Sequence, residues 1–99
     1  MSDSTHSMKV LVIGSGGREH SLCWKIGKSP MVSEVICAPG NAGIRDVARI
    51  APVAAHDLAG LMALAEAERP GLVVIGPEDP LAAGLADRMR DAGFRVFGP

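Results

Sequence analysis

Residues 10–20, VLVIGSGGREH, decide the fold and carry the strongest functional signal of this 99-residue chain. Four apolar, mostly β-branched residues predict a buried strand, and the glycines that follow predict a tight turn into a helix. Such a turn presents backbone N–H groups at a helix N-terminus, where the helix dipole also favours negative charge. The stretch therefore predicts an anion site, most often one for a phosphate.

Composition limits the class of protein. Apolar residues make up 47% of the chain, the net charge is −1 and only 3% of residues are aromatic, which indicates one globular domain and argues against nucleic-acid or membrane-surface binding. Cys23 and Cys37 lack metal-ligand spacing and predict buried, reduced thiols. Residues 1–7 are polar and not a signal peptide, so we interpret them as a disordered leader and expect a cytoplasmic protein.

Strand and helix patterns alternate along residues 8–99, the predicted domain. Asp79 predicts a helix N-cap, and Gly93 predicts a helix end. Strands are predicted at residues 9–14, 35–38, 49–53, 72–75 and 95–97, and helices at 17–26, after Asp57 and after Asp79, the last with Leu81, Leu85, Met89 and Ala92 as its apolar stripe. Pro52 places the third strand at a sheet edge, because proline cannot donate to the ladder.

This alternation predicts an α/β fold with a mainly parallel, five-stranded sheet in the order 3-2-1-4-5. That order makes the first and fourth strands neighbours at a topological switch point. The loops at residues 14–17, 39–43 and 76–79 then leave the same edge of the sheet. Ligands of open α/β sheets bind in such a crevice.

A dinucleotide site is one interpretation of the glycines. However, Glu19 stands where the third glycine of G-x-G-x-x-G is needed, and no acidic residue follows the second strand. A dinucleotide-binding oxidoreductase domain therefore stays an alternative, as does a non-catalytic folding or interaction module.

A phosphorylated sugar fits the crevice better. The amides of Gly16, Gly17 and Arg18 would face the phosphate, the Arg18 guanidinium could pair with it, and Glu78 could accept from hydroxyls or an amine. Arg18 and Glu19 could also be an ordinary solvated first turn, and Asn41 only a turn residue. His20 could cap, pack or touch a ligand, and we assign no catalytic residue and no metal site.

Four ordered motifs carry a resemblance to a known family. They are MKVLVIGSGGREH at residues 8–20, APGNAG at 38–43, VIGPEDPL at 74–81 and VFGP at 96–99. In this order they resemble the opening of the phosphoribosylamine–glycine ligases, also called glycinamide ribonucleotide synthetases. The resemblance covers residues 8–99.

The resemblance implies a Rossmann-like, three-layer domain that precedes an ATP-grasp domain. Members of the family form glycinamide ribonucleotide from phosphoribosylamine, glycine and ATP in de novo purine synthesis. By position, the expected substrate-binding residues are Gly16, Gly17, Arg18, Asn41, Gly76, Pro77 and Glu78. ATP and Mg²⁺ serve the full-length family, and we expect this chain alone to bind neither and to be inactive as a ligase. Its expected partners are a phosphosugar and the ATP-grasp domain, with self-association of the isolated domain as a hypothesis.

Overall fold

A five-stranded sheet forms the middle layer of the computed structural model, which describes residues 8–76 and 82–98. Its strands are β1 (Met8–Gly14), β2 (Val32–Pro39), β3 (Arg49–Ile50), β4 (Leu72–Ile75) and β5 (Val96–Phe97), in the spatial order β3-β2-β1-β4-β5. All neighbouring strands pair in parallel. The predicted strand order is confirmed, and the carboxyl ends of β1 and β4 lie side by side.

Helices cover both faces of the sheet. They are α1 (Gly17–Gly27), α2 (Leu58–Glu68) and α3 (Ala82–Asp91), and a short 3-10 turn spans Ile44–Asp46. Successive side chains of β1 point to opposite faces. Val10 and Val12 therefore pack with Cys23 of α1, whereas Leu11 and Ile13 pack with α2 and α3. None of the described helices is long and apolar enough to cross a membrane.

β1 and β5 differ from their predicted ranges by one residue each, and β2 and β3 differ by more. β2 begins at Val32 rather than at residue 35, because Val32 pairs with Met8 and Glu34 with Lys9, with an irregularity in the register between the two pairs. β3 stops at Ile50 rather than at residue 53. The Ala51 amide still donates to the Cys37 carbonyl at 3.0 Å, but Pro52 has no N–H with which to continue the ladder.

Helix ends follow the predicted chemistry where the structure describes them. The helix predicted after Asp57 is present as α2, and the Asp57 side chain caps it by accepting a hydrogen bond from the Gly60 amide at 2.9 Å. Gly93 follows α3 with φ +97°, the left-handed conformation expected of a C′ glycine. Ala92 lies past the end of α3 and is exposed, so it is not part of the buried stripe. Asp79 and Leu81 lie outside the described residues.

Both thiols are buried and free, as predicted, on the face that α1 covers. The Cys37 Sγ donates to the Gly14 carbonyl at 3.4 Å, close to the turn that ends β1. A hydrogen bond with Cys23 and burial both raise the pKa of the Cys37 thiol. Cys37 therefore packs as a small apolar residue of the core.

Four charged side chains link the amino ends of β1, β2 and β3 to the end of α2. Glu68 accepts from Lys9 at 2.9 Å and from Arg49 at 2.8 Å, and the Arg49 guanidinium also binds Glu34 through two nitrogens. The hydrogen bond from Arg49, followed by that from Lys9, lowers the pKa of Glu68 to about 2. Arg49 lowers the pKa of Glu34 as well. The network lies at the edge of the sheet opposite the crevice.

This network predicts a pH dependence of stability. A carboxyl group with a lowered pKa in the folded state stabilises the fold above its ordinary pKa of 4.5 and loses that contribution as the pH falls toward about 2. We expect Glu68→Gln to lower the urea midpoint at neutral pH, and we expect the difference from the unsubstituted chain to shrink progressively below about pH 5. A difference that stays constant from pH 7 to pH 2 would contradict this assignment.

Candidate anion-binding crevice

The glycine-rich turn lies between β1 and α1 at the carboxyl edge of the sheet. β1 ends at Gly14, which has φ +149°, and Gly16 is the extended N-cap of α1. Gly17 and Arg18 are exposed in the first turn of the helix. Their amides precede the first possible i→i−4 acceptor, so they are available to an external anion.

The turn after β2 is tied to the glycine-rich turn. The Gly40 amide donates to the Gly14 carbonyl at 3.1 Å. The side-chain amide of Asn41 donates to the Ser15 carbonyl, and its Oδ1 accepts from the Ile44 amide at 3.0 Å. Asn41 is exposed and is a turn residue that also links the two loops. The two loops therefore form one surface beside the N-terminus of α1.

Glu19 is buried, which differs from the solvated first turn that the sequence allowed. It is only 3% exposed, and its Oε1 accepts from the Gly16 amide at 2.8 Å, the glutamate half of a capping box. Glu19 is thus not part of a solvated first turn, whereas Arg18 is exposed. The Gly16 amide is not free for a ligand while this hydrogen bond exists. A glutamate three residues after a glycine N-cap is the signal that could have identified it.

His20 faces the turn after β2. A Cβ built on Gly43 would lie 3.5 Å from the His20 Cε1 and 3.4 Å from the Asn41 Oδ1. The ring therefore packs against this turn, and a side chain at position 43 would crowd it. His20 is half-buried, and its position supports a packing role beside the crevice.

The end of β4 forms the other side of the crevice. The Gly76 amide donates to the Ile13 carbonyl at 3.3 Å, which brings Gly76 next to the end of β1. Pro77 and Glu78, both predicted site residues, lie outside the described residues. Gly98, which follows β5, packs closely against the end of β4. A Cβ at Gly98 would lie 2.7 Å from the Ile75 carbonyl oxygen.

The structure thus brings together Gly16, Gly17, Arg18, Asn41 and Gly76 of the predicted set. A second concavity lies at the opposite edge of the sheet, lined by residues 32–35 and 47–49 with Gly27. Its charged side chains, Glu34 and Arg49, are already paired with each other. Unpaired backbone donors at a helix N-terminus favour the carboxyl edge as the functional site.

The parallel sheet, the glycine turn at its switch point and the exposed N-terminus of α1 define a Rossmann-like α/β domain. The match to a family model is more specific. The chain belongs to the family described as phosphoribosylglycinamide synthetase, N domain, whose model covers residues 8–99. The resemblance read from the four motifs is confirmed.

Curated relatives agree with this family. The chain is 56% identical over 92 residues to the phosphoribosylamine–glycine ligase of Brucella melitensis biotype 1. It is 57% identical over 94 residues to that of Xylella fastidiosa and 55% identical over 92 residues to that of Streptomyces coelicolor. Each alignment covers 93% of this chain and 22% of the relative. The chain therefore spans about a fifth of the length of the curated relatives that it matches.

Proposed function

We propose that this chain is the N-terminal, ribosyl-phosphate-binding domain of a ligase that forms glycinamide ribonucleotide from phosphoribosylamine, glycine and ATP in de novo purine synthesis. The observation that carries the proposal is the exposed helix start at Gly17 and Arg18, next to Asn41, in a chain of this family. The phosphate would lie at that helix start. The protein is expected to act in the cytoplasm.

Each part of the crevice has a role in this proposal. The Gly17 and Arg18 amides donate to phosphate oxygens, and the exposed Arg18 guanidinium adds a charge-assisted pair. Gly16 shapes the turn that presents them, and Asn41 and Gly76 line the path toward the sugar. We assign Pro77 and Glu78 to the sugar and its amine from their place in the sequence after β4, and Glu78 would supply the acceptor.

We propose that ATP and Mg²⁺ bind outside this domain. Within residues 8–76 and 82–98, no three His, Cys, Asp or Glu side chains lie close enough together to hold a metal ion. We assign both to the ATP-grasp region that the family resemblance implies, the expected partner of this domain. We propose that the chain alone has no ligase activity, and that exposed Phe97, the last residue of β5, favours contact with that region or self-association.

The proposal is tested by an NMR titration of the isotope-labelled chain with glycinamide ribonucleotide, with NADH and ATP as comparisons. With the ribonucleotide alone, we expect shifts within residues 14–18, largest at the Gly17 and Arg18 amides, and at residues 41 and 76. The same shifts with NADH would instead support the dinucleotide alternative, against which Glu19 argues. An absence of shifts with all three ligands would support a non-catalytic module whose fold is retained without a usable site.

Gly17→Val is expected to weaken ribonucleotide binding by about tenfold or more, because its branched side chain obstructs the approach to the helix start. A Cβ at Gly17 meets nothing within 4 Å, so the fold is expected to tolerate the change. Gly27→Val is the matched control at the other end of α1, where the nearest atom would be the Val35 Cγ2 at 3.8 Å. Equal ribonucleotide affinities of the two variants would contradict the assignment of the phosphate to this helix start.

A further inference from the structure

The buried carboxylate of Glu19 has no role in the proposed binding of the phosphate, although it lies directly beneath the turn. Its Oε1 holds the Gly16 amide, and its Oε2 is buried with no donor among the described residues. A buried carboxylate oxygen without a partner is costly, so its retention next to an anion site calls for an explanation. The helix dipole offsets part of that cost.

Glu19 also occupies space in the turn. A Cβ on Gly14 would lie 2.5 Å from the Glu19 Cγ and 2.6 Å from its Cδ. A Cβ on Gly16 would lie 3.1 Å from Oε1. In dinucleotide-binding turns a glycine stands at the position of Glu19, and the backbone approaches a pyrophosphate closely. Here the side chain fills the volume over Gly14 and uses one of the backbone donors.

We propose that Glu19 is a specificity-determining residue that restricts this turn to a single phosphate. This inference rests on the proposed function. The carboxylate acts as an internal anion: it takes the Gly16 amide, leaves the Gly17 and Arg18 amides to one phosphoryl group, and repels a second one. A ribosyl monophosphate is then accepted, whereas a diphosphate that bridges two ribosyl groups is rejected.

The test compares ribose 5-phosphate with ADP-ribose, a monophosphate and a diphosphate, on the whole chain and two variants. We expect the unsubstituted chain to prefer ribose 5-phosphate. Glu19→Ala frees the Gly16 amide and the space above Gly14, and should shift the affinity ratio toward ADP-ribose by about tenfold or more. Glu19→Gln keeps the volume and an oxygen acceptor for the Gly16 amide but removes the charge, so it should shift the affinity ratio toward ADP-ribose by less than Glu19→Ala does.

The affinity ratio separates selectivity from a merely structural role, because a loosened fold would weaken both ligands alike. An unchanged ratio in a folded Glu19→Ala chain would overturn the inference. If Glu19→Ala does not fold, the test uses the NMR amide shifts of the unsubstituted chain. Ribose 5-phosphate should shift the Gly17 and Arg18 amide signals and leave the Gly16 amide bonded to Glu19. An equal shift at Gly16 would overturn the inference.

A different result is expected if the proposed function is wrong and the domain does not bind a ribosyl phosphate. In that case the unsubstituted chain shows no amide shift with ribose 5-phosphate. The role of Glu19 is then supported if Glu19→Ala gains ADP-ribose binding, and it is overturned if that variant gains none.

Discussion

Replacing Gly14 with alanine is expected to lower the free energy of unfolding by about 2–4 kcal/mol. Two costs add at this position. The backbone has φ +149°, which L side chains rarely adopt, and the new methyl group would lie 2.5 Å from the buried Glu19 Cγ. Glu19 is packed on all sides and cannot move aside without losing its hydrogen bond to the Gly16 amide. Urea unfolding followed by circular dichroism measures the loss.

Gly17→Ala is the matched control, three positions further along the same turn. A Cβ at Gly17 meets nothing within 4 Å, and alanine favours the helix. Its free energy of unfolding should stay within about 0.5 kcal/mol of the unsubstituted chain. Equal losses at the two positions would mean that crowding against Glu19 is not the cause.

A double variant separates the two costs at Gly14. Adding Glu19→Ala to Gly14→Ala removes the crowded side chain but leaves the backbone strain. The two substitutions should therefore be less than additive, since their side chains would share the same space. Strict additivity would assign the whole loss to the backbone.

Periodicity and turn chemistry predicted most of the fold from the sequence. The apolar runs at residues 10–13 and 72–75 can only be buried on both faces, and this property made them central, parallel strands. Pro52 correctly indicated the sheet edge, although the strand stops before it. The strand order then followed from right-handed crossovers, and with it the place where the loops meet.

The site was predicted less completely, because its decisive contacts are not periodic. Residue type alone gives no indication that Glu19 is buried, since glutamate in a first helical turn is ordinarily exposed. The amide of Asn41 binds the Ser15 carbonyl 26 positions away, a contact that no local pattern encodes. The resemblance to the family supplied the substrate, which the crevice chemistry alone had described only as a phosphosugar.

The burial of Ile44 also could not be predicted from periodicity, because Ile44 lies in a short 3-10 turn with no repeating pattern around it. Its side chain is fully buried with Val12, Cys23 and Cys37 on the face that α1 covers. It anchors the turn after β2, and its amide also binds Asn41. The position of that turn beside the glycines thus depends on a core residue outside the crevice.

Ile44→Ala is accordingly expected to lower the free energy of unfolding by about 2–4 kcal/mol, through lost burial and the cavity left behind. Ile44→Val keeps most of the volume and should cost about 0.5–1.5 kcal/mol. The alanine variant should also speed hydrogen exchange at the Gly40 amide, which donates to Gly14, more than at the central amides of β1. If alanine costs no more than valine, Ile44 does not anchor the turn. If exchange rises equally everywhere, the residue stabilises the whole domain and has no separate effect on the crevice.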